Sequence, residues 1–182
     1  MDISEHDRAA LVELARSCVA AEVGDGEPAP LGELGGVMGQ QLGCFVTLTN
    51  QGRLRGCIGT FHPDRPLGLM IQEMARSAAH DPRFVYNPIT ARELPELHVE
   101  VSVLSPLEET ADPLGLEVGR HGIYIIRGAR AGCFLPEVAT DMAWTAQEFL
   151  DECCLGKAGL PAGAWKLEGT KVFLFTSQKF GG

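Results

Sequence analysis

Apolar residues recur at helical spacing in two stretches of the chain. Residues 4–21 carry one apolar face, and Ser4 with Asp7 resembles an N-terminal capping pair. Residues 66–79 carry a continuous apolar face, which begins at a proline and is stopped by Asp81 and the proline that follows. The pattern predicts two helices that pack into a core.

Other stretches have the composition or alternation of strands. Residues 44–49, a turn at 50–52 and residues 53–60 predict a hairpin. Residues 97–104 alternate between an apolar face and a polar face, and the polar face is either solvated or lines a site.

The second half of the chain also contains stretches with the pattern of strands. Residues 122–127 and 133–135 predict a second hairpin with a turn at 128–132, and residues 171–178 predict a closing strand. Hairpins with helices between them predict an α+β fold around an antiparallel or mixed sheet, in one domain spanning residues 1–182.

Two capping pairs predict further short helices. Thr90 with Glu93 precedes a helix that ends near Pro95, and Thr145 with Glu148 precedes a longer one.

Charge and composition narrow the class of function. The net charge of −9 repels a polyanion, so nucleic acid is not an expected partner. This net charge does not exclude a local basic pocket. No apolar run is long enough to span a membrane, and the first residues lack the basic region of a secretory signal. We expect a cytoplasmic protein.

The cysteines could be free thiols, disulfides or metal ligands. Without a secretory signal, free thiols are expected rather than disulfides, and no cysteine or histidine spacing predicts a metal site. The six cysteines are Cys18, Cys44, Cys57, Cys133, Cys153 and Cys154.

One of them lies in the most informative segment. In an extended strand, Arg53, Arg55 and Cys57 share one face, which places a guanidinium beside a thiol. A fixed cation stabilises the reactive thiolate. Gly56 and Gly59 lack side chains, which lets a substrate or another backbone approach. The alternative is that Cys57 is structural and the glycines mark a bulge or a tight crossing.

Other polar residues could complete a site. Glu100 lies on the polar face of its predicted strand, where it either lines a cleft or is solvated. Asp81 could supply an acid, a base or an orienting contact; alternatively, it pairs with Arg83 to hold their turn. His62 and His80 are weaker candidates, since loops and helix ends hold such histidines without a catalytic role.

The sequence resembles the AMMECR family over nearly its whole length. The hallmark is Leu-Arg-Gly-Cys-Ile-Gly-Thr at residues 54–60. Further matching blocks, in the family's order, are residues 45–48, 81–84, 99–105, 122–123, 132–138, 144, 149–150, 157–161 and 165.

The resemblance implies a compact α+β domain with two unequal lobes and the hallmark beside a cleft. Bacterial and archaeal relatives belong to the AmmeMemoRadiSam system, which implies a Memo-like protein and a radical S-adenosylmethionine enzyme as partners. It implies no established activity or cofactor. The chain departs from the family at Glu137, which is usually glutamine. It also departs after residues 83–84, where most relatives run directly into a Pro-Pro stretch and this chain has residues 85–88 instead.

Two hypotheses follow. In the first, the chain is an enzyme or enzyme component: Cys57 is a nucleophile or redox thiol, Arg55 stabilises the thiolate and binds a small anionic ligand, and Glu100 or Asp81 supplies acid or base contacts. The expected substrate contacts are Arg53, Gly56, Gly59, Thr60, Asp81 and Arg83. In the second, the chain is a binding module for the partner proteins, and Cys57 is structural.

Overall fold

A computed structural model describes residues 3–24, 26–32 and 34–181, which divide into two compact units. Unit 1 contains the described residues up to Leu104 together with those from Gln178 onward, and unit 2 is Ser105–Ser177. The fold is α+β with antiparallel strand pairing in each unit, which confirms the predicted class.

Unit 1 packs two helices against one face of a sheet. Its strands lie in the order β2-β1-β3, and the last residues of a strand β7 (Thr170–Gly181), from Gln178 onward, lie beside β3. Because β2 is at the end of this order, one side of its backbone has no strand neighbour among the described residues. The elements are α1 (Glu5–Val23), β1 (Cys44–Asn50), β2 (Arg53–Thr60), α2 (Leu67–Ala79) and β3 (Leu97–Leu104).

The helices of unit 1 form where the apolar pattern predicts them. The Ser4 hydroxyl accepts a hydrogen bond from the Asp7 backbone N–H at 3.1 Å, as the predicted cap requires. The buried faces of α1 and α2 meet alternate residues of β1 and β3 in one apolar core. These core residues include Leu11, Cys18, Val46, Leu48, Met70, Ile71, Val99 and Val101.

Unit 2 is a smaller antiparallel arrangement with its own apolar core. Strand β7 pairs with β4 and with β5, and β5 pairs with β6. Its elements are β4 (Glu108–Glu109), β5 (His121–Arg127), β6 (Arg130–Phe134), α3 (Pro136–Asp141), α4 (Ala146–Cys153) and the residues of β7 (Thr170–Gly181) up to Ser177.

The second hairpin turns more tightly than the sequence predicts. Arg127 pairs directly with Arg130, so the turn needs two residues rather than the five expected. Gly128 adopts a φ of 60°, the left-handed conformation that such a turn requires and glycine tolerates. Helix α3 was not predicted from the apolar pattern, because it is only six residues long.

The predicted capping pairs have different outcomes. Thr145 and Glu148 form a complete capping box at the start of α4, as predicted. The Thr90 backbone N–H donates to Glu93 at 3.1 Å, yet the following helix is a single 3-10 turn at Leu94–Glu96, because Pro95 lies within it. No helix among the described residues is long and apolar enough to cross a membrane.

Strand β2 touches α2 backbone to backbone. A Cβ atom at Gly56 would overlap the carbonyl oxygen of Ala78, near the end of α2. This is the close backbone approach that the glycine was expected to permit, and it holds the hallmark strand against the helix.

We therefore expect Gly56→Ala to destabilise the protein by about 1–3 kcal/mol, since either the helix end or the strand must move. Urea unfolding monitored by circular dichroism measures the change. The matched control is Gly35→Ala, where a Cβ atom would meet nothing within 4 Å. Equal effects of the two substitutions would contradict the role assigned to Gly56.

Candidate functional site

The pairing of β1 with β2 contains a β-bulge that changes which side chains share a face. Leu48 pairs with Gly56 and Thr49 with Leu54, so Arg55 is the extra residue. Cys57 pairs with Thr47, two positions from Thr49 on β1. Leu54 therefore lies on the face of Cys57, where simple alternation places the arginines.

The prediction that Arg53, Arg55 and Cys57 share one face is therefore wrong. Arg53 pairs with Asn50, which places it on the opposite face from Thr47 and Cys57. The physical reason is the single residue inserted at the bulge, since it reverses the alternation for every position before it.

Arg55 is engaged in a buried ion pair instead. Its residue exposure is 8%, and it donates to Glu93 from Nε at 2.9 Å and from Nη2 at 3.2 Å. Nη2 also donates to the Pro88 carbonyl at 3.1 Å. Arg55 holds the pKa of the Glu93 carboxyl below its ordinary value, and the Thr90 backbone N–H adds to this effect. These contacts join β2 to the segment at residues 88–93.

Cys57 lies in a row of polar side chains on the face of the sheet opposite the helices. Thr47 of β1 pairs with Cys57 on one side and with Glu100 of β3 on the other. The Thr47 hydroxyl lies 3.2 Å from the Cys57 sulfur, which is partly exposed. The Glu100 carboxylate is 3.2 Å from the Lys179 ammonium. We call Cys57, Thr47, Glu100 and Lys179 the polar row.

The spacing of strands limits what the polar row can do. Cys57 and Glu100 are separated by two strand spacings, about 10 Å, which is too far for direct proton transfer. A ligand lying along the row would reach both the sulfur and the carboxylate. Glu100 is thus suited to ligand binding, and its expected place on the polar face is confirmed.

A turn closes the free edge of β2 at Cys57. The Cys57 backbone N–H donates to Asp81 Oδ2 at 3.0 Å, and the Cys57 carbonyl accepts from Arg83 Nη2 at 3.1 Å. Within the turn, the Arg83 backbone N–H and Nε each donate to Asp81 Oδ1 at 3.0 Å. We call this Asp81–Arg83 arrangement the edge clip.

The edge clip contains a buried carboxylate and an exposed cation. The Asp81 side chain is 1% exposed and that of Arg83 is 57% exposed, with Nη2 to Oδ2 at 2.5 Å. The Arg83 guanidinium holds the pKa of Asp81 well below its usual range, the backbone N–H groups of Cys57 and Arg83 add to this, and burial opposes it. Asp81 therefore stays ionised and orients its neighbours rather than donating a proton.

The cation beside Cys57 is therefore Arg83. The Asp81 carboxylate raises the pKa of Arg83, and Cys57 contributes to this in the same direction. The sequence offered this pairing as an alternative at Asp81 and Arg83, and the structure confirms it.

Three of the residues expected to contact substrate offer no side chain or open space to a ligand on the polar row. The side-chain space at Gly56 is filled by α2, and at Gly59 it is filled by the Phe45 ring. Thr60 pairs with Cys44 on the opposite face, and its hydroxyl accepts from the His62 backbone N–H at 3.1 Å. His80 lies at 3.0 Å from Glu22, consistent with a surface contact.

Three partners of the candidate residues are not among the residues predicted from the sequence: Thr47, Lys179 and Glu93. Aligning the first hairpin around its predicted turn places Thr47 opposite Arg55, and only the observed register brings it opposite Cys57. Glu93 was identified as a cap, but nothing in its spacing links it to Arg55. Lys179 was placed beyond the end of the predicted closing strand.

The six cysteines are all free, as expected. Burial raises the pKa of the Cys44 thiol to about 12 and raises the pKa of Cys18, Cys153 and Cys154 as well. Cys57 and Cys133 are the two that are partly exposed. Among the described residues, no cluster of three or more histidine, cysteine or acidic side chains is arranged to hold a metal ion.

The fold and site define an α+β protein with a cysteine on a sheet-edge strand, clipped by an Asp-Pro-Arg turn. The sequence profile of the AMMECR1 family matches residues 12–180. The chain therefore belongs to the AMMECR1 family.

Relatives of this family cover almost the full chain. A protein of Methanothermobacter thermautotrophicus is 40% identical over 98% of this chain and 95% of its own length. One from Methanosarcina barkeri is 42% identical over 94% of this chain and 88% of its own. The crystal structure of an uncharacterized protein of Pyrococcus horikoshii matches with a TM-score of 0.87 at 36% identity, covering 98% of this chain and 93% of that one.

The edge clip predicts a pH dependence of stability. Because the folded pKa of Asp81 is depressed, its contribution is fully present above the ordinary aspartate pKa of about 4 and is lost as the pH falls below it. We expect Asp81→Asn to lower the free energy of unfolding by about 1–3 kcal/mol at pH 7, with a smaller difference from the parent at pH 3.

Urea unfolding at the two pH values measures this difference. Asp64→Asn is the matched control, because the Asp64 side chain is 75% exposed and its loss should cost little. A loss for Asp81→Asn that grows as the pH falls would contradict the account.

Proposed function

We propose that the chain is an enzyme component that binds a small anionic substrate over Cys57. The supporting observation is the edge clip. The Asp81 carboxylate, which is 1% exposed, holds the Arg83 guanidinium, whose side chain is 57% exposed. Arg83 in turn donates to the backbone carbonyl of Cys57, which is partly exposed. A guanidinium fixed by two or more hydrogen bonds binds an anion without first losing conformational freedom.

In this role Arg83 binds the anionic group and Cys57 is the reacting group. The Cys57 thiolate forms a bond to an electrophilic carbon of the substrate, the displaced group leaves with the electron pair, and the thiol proton passes to solvent. The Thr47 hydroxyl, 3.2 Å from the sulfur, orients it, and Glu100 contacts a polar group at the far end of the substrate.

Alkylation of Cys57 tests the assignment of the cation to Arg83. In a Cys133→Ser background, the rate ratio of anionic iodoacetate to neutral iodoacetamide isolates the charge effect. We expect Arg83→Gln to lower this ratio about threefold, as expected for one unit charge at ~6 Å in water. Arg83→Lys keeps the positive charge and should therefore leave the rate ratio close to that of the parent protein.

Arg53→Gln is the matched control, because the bulge places Arg53 on the other face. Equal effects of Arg53→Gln and Arg83→Gln would refute the assignment. Reaction of Cys57 only after unfolding would exclude it as the reacting group.

A second candidate function is a docking module for a Memo-like protein and a radical S-adenosylmethionine enzyme. The observation that favours it lies next to the edge clip: Val85 is 66% exposed and Tyr86 is 100% exposed. A fully exposed tyrosine is a common anchor in protein interfaces.

Co-purification of the two partners with variants of the full chain separates these functions. For a docking module, Tyr86→Ala should abolish association and Cys57→Ser should preserve it. No association of the parent protein with either partner would contradict docking and leave the alkylation experiment unaffected.

A further inference from the structure

A polar pocket of about 400 Å³ lies at the β1–β2 turn of unit 1, and Cys57 is not among its lining residues. This volume is in the range of small-molecule sites. The groups relevant to binding are Arg53, Arg55, Glu93, Glu96, Asn87 and Phe84.

One charged pair forms a fixed wall of the pocket. Arg55 and Glu93 are hydrogen-bonded twice, and the Asn50 amide also donates to Glu93 at 3.4 Å. The Arg55 guanidinium lies 6.0 Å from the centre of the Phe84 ring. Because these charges neutralise each other and are held by several contacts, they shape the pocket and add little net charge.

Two other charges line the same pocket without pairing with each other. Arg53 and Glu96 are both exposed, and among the described residues no ion pair joins them. Glu96 accepts one hydrogen bond, from the Gln51 side-chain amide at 3.1 Å. The pocket therefore offers one guanidinium and one carboxylate, of opposite sign and separate from each other, to a ligand.

The combination of charges selects the chemistry of the ligand. A simple anion meets repulsion from Glu96, and a simple cation meets repulsion from Arg53. A ligand with a carboxylate and an ammonium group satisfies both free charges at once.

We propose that this pocket binds a zwitterionic ligand of the amino-acid class. Arg53 binds its carboxylate, Glu96 binds its ammonium group, and Leu54 and Phe84 contact its apolar part. Arg53 lies on the opposite face of β2 from Cys57, and Cys57 does not line this pocket.

The experiment is an NMR titration of the isotope-labelled full chain with the standard L-amino acids and their glycyl dipeptides, one at a time, at millimolar concentration. We expect saturable shifts of backbone amides at residues 50–54, 93, 94 and 96 for at least one probe. Arg53→Gln and Glu96→Gln should each weaken its binding about tenfold or more.

Modified forms of the binding probe separate the two contacts. Its carboxamide lacks the carboxylate, so its binding should not be weakened by Arg53→Gln and should be weakened by Glu96→Gln. Its N-acetyl form lacks the ammonium group and should show the reverse. Arg92→Gln and Glu27→Gln are matched controls at exposed charges outside the pocket.

Three results would overturn the proposal: no saturable shift with any probe, equal weakening by the pocket variants and their controls, or shifts confined to the polar row. Melting temperatures of all variants confirm that loss of binding is not loss of fold.

Discussion

The local architecture around Cys57 depends on the hydrogen bonds that the Asp81 carboxylate accepts. This carboxylate is taken out of water, and each of its oxygens accepts hydrogen bonds from Arg83, while Oδ2 also accepts the backbone N–H of Cys57. A buried carboxylate is costly unless it is bonded in this way. Its hydrogen bonds join the turn after α2 to the edge of β2 and hold the Arg83 guanidinium beside Cys57.

The Phe84 ring connects this clip to the rest of the hallmark segment. The guanidinium of Arg83 lies 5.7 Å from the ring centre and that of Arg55 lies 6.0 Å from it. One turn thus contacts both arginines, and the two have different roles. Arg83 is exposed beside the thiol, whereas Arg55 is buried and bonded to Glu93. The hallmark combines a candidate reactive group with the contacts that keep its strand in place.

The helices and most strands could be predicted from the sequence because apolar periodicity is a local property, as in α2 and in β3. The arrangement at Cys57 could not, since it depends on one inserted residue. Alternation through Arg53 and Arg55 gives the wrong face once a bulge is present, and the sequence does not mark which residue bulges. The partner of Arg55 is 38 residues away, at Glu93, and only the folded chain brings them together.

Asp81 fixes the edge of β2 at Cys57, and the rate of amide hydrogen exchange at Cys57 reports on this contact. We expect the Cys57 amide to be protected in the parent protein and to lose this protection in Asp81→Ala, while the amide of Val46 in the core stays protected. A Cys57 amide that exchanges rapidly in the parent, or that stays equally protected in the variant, would contradict the claim.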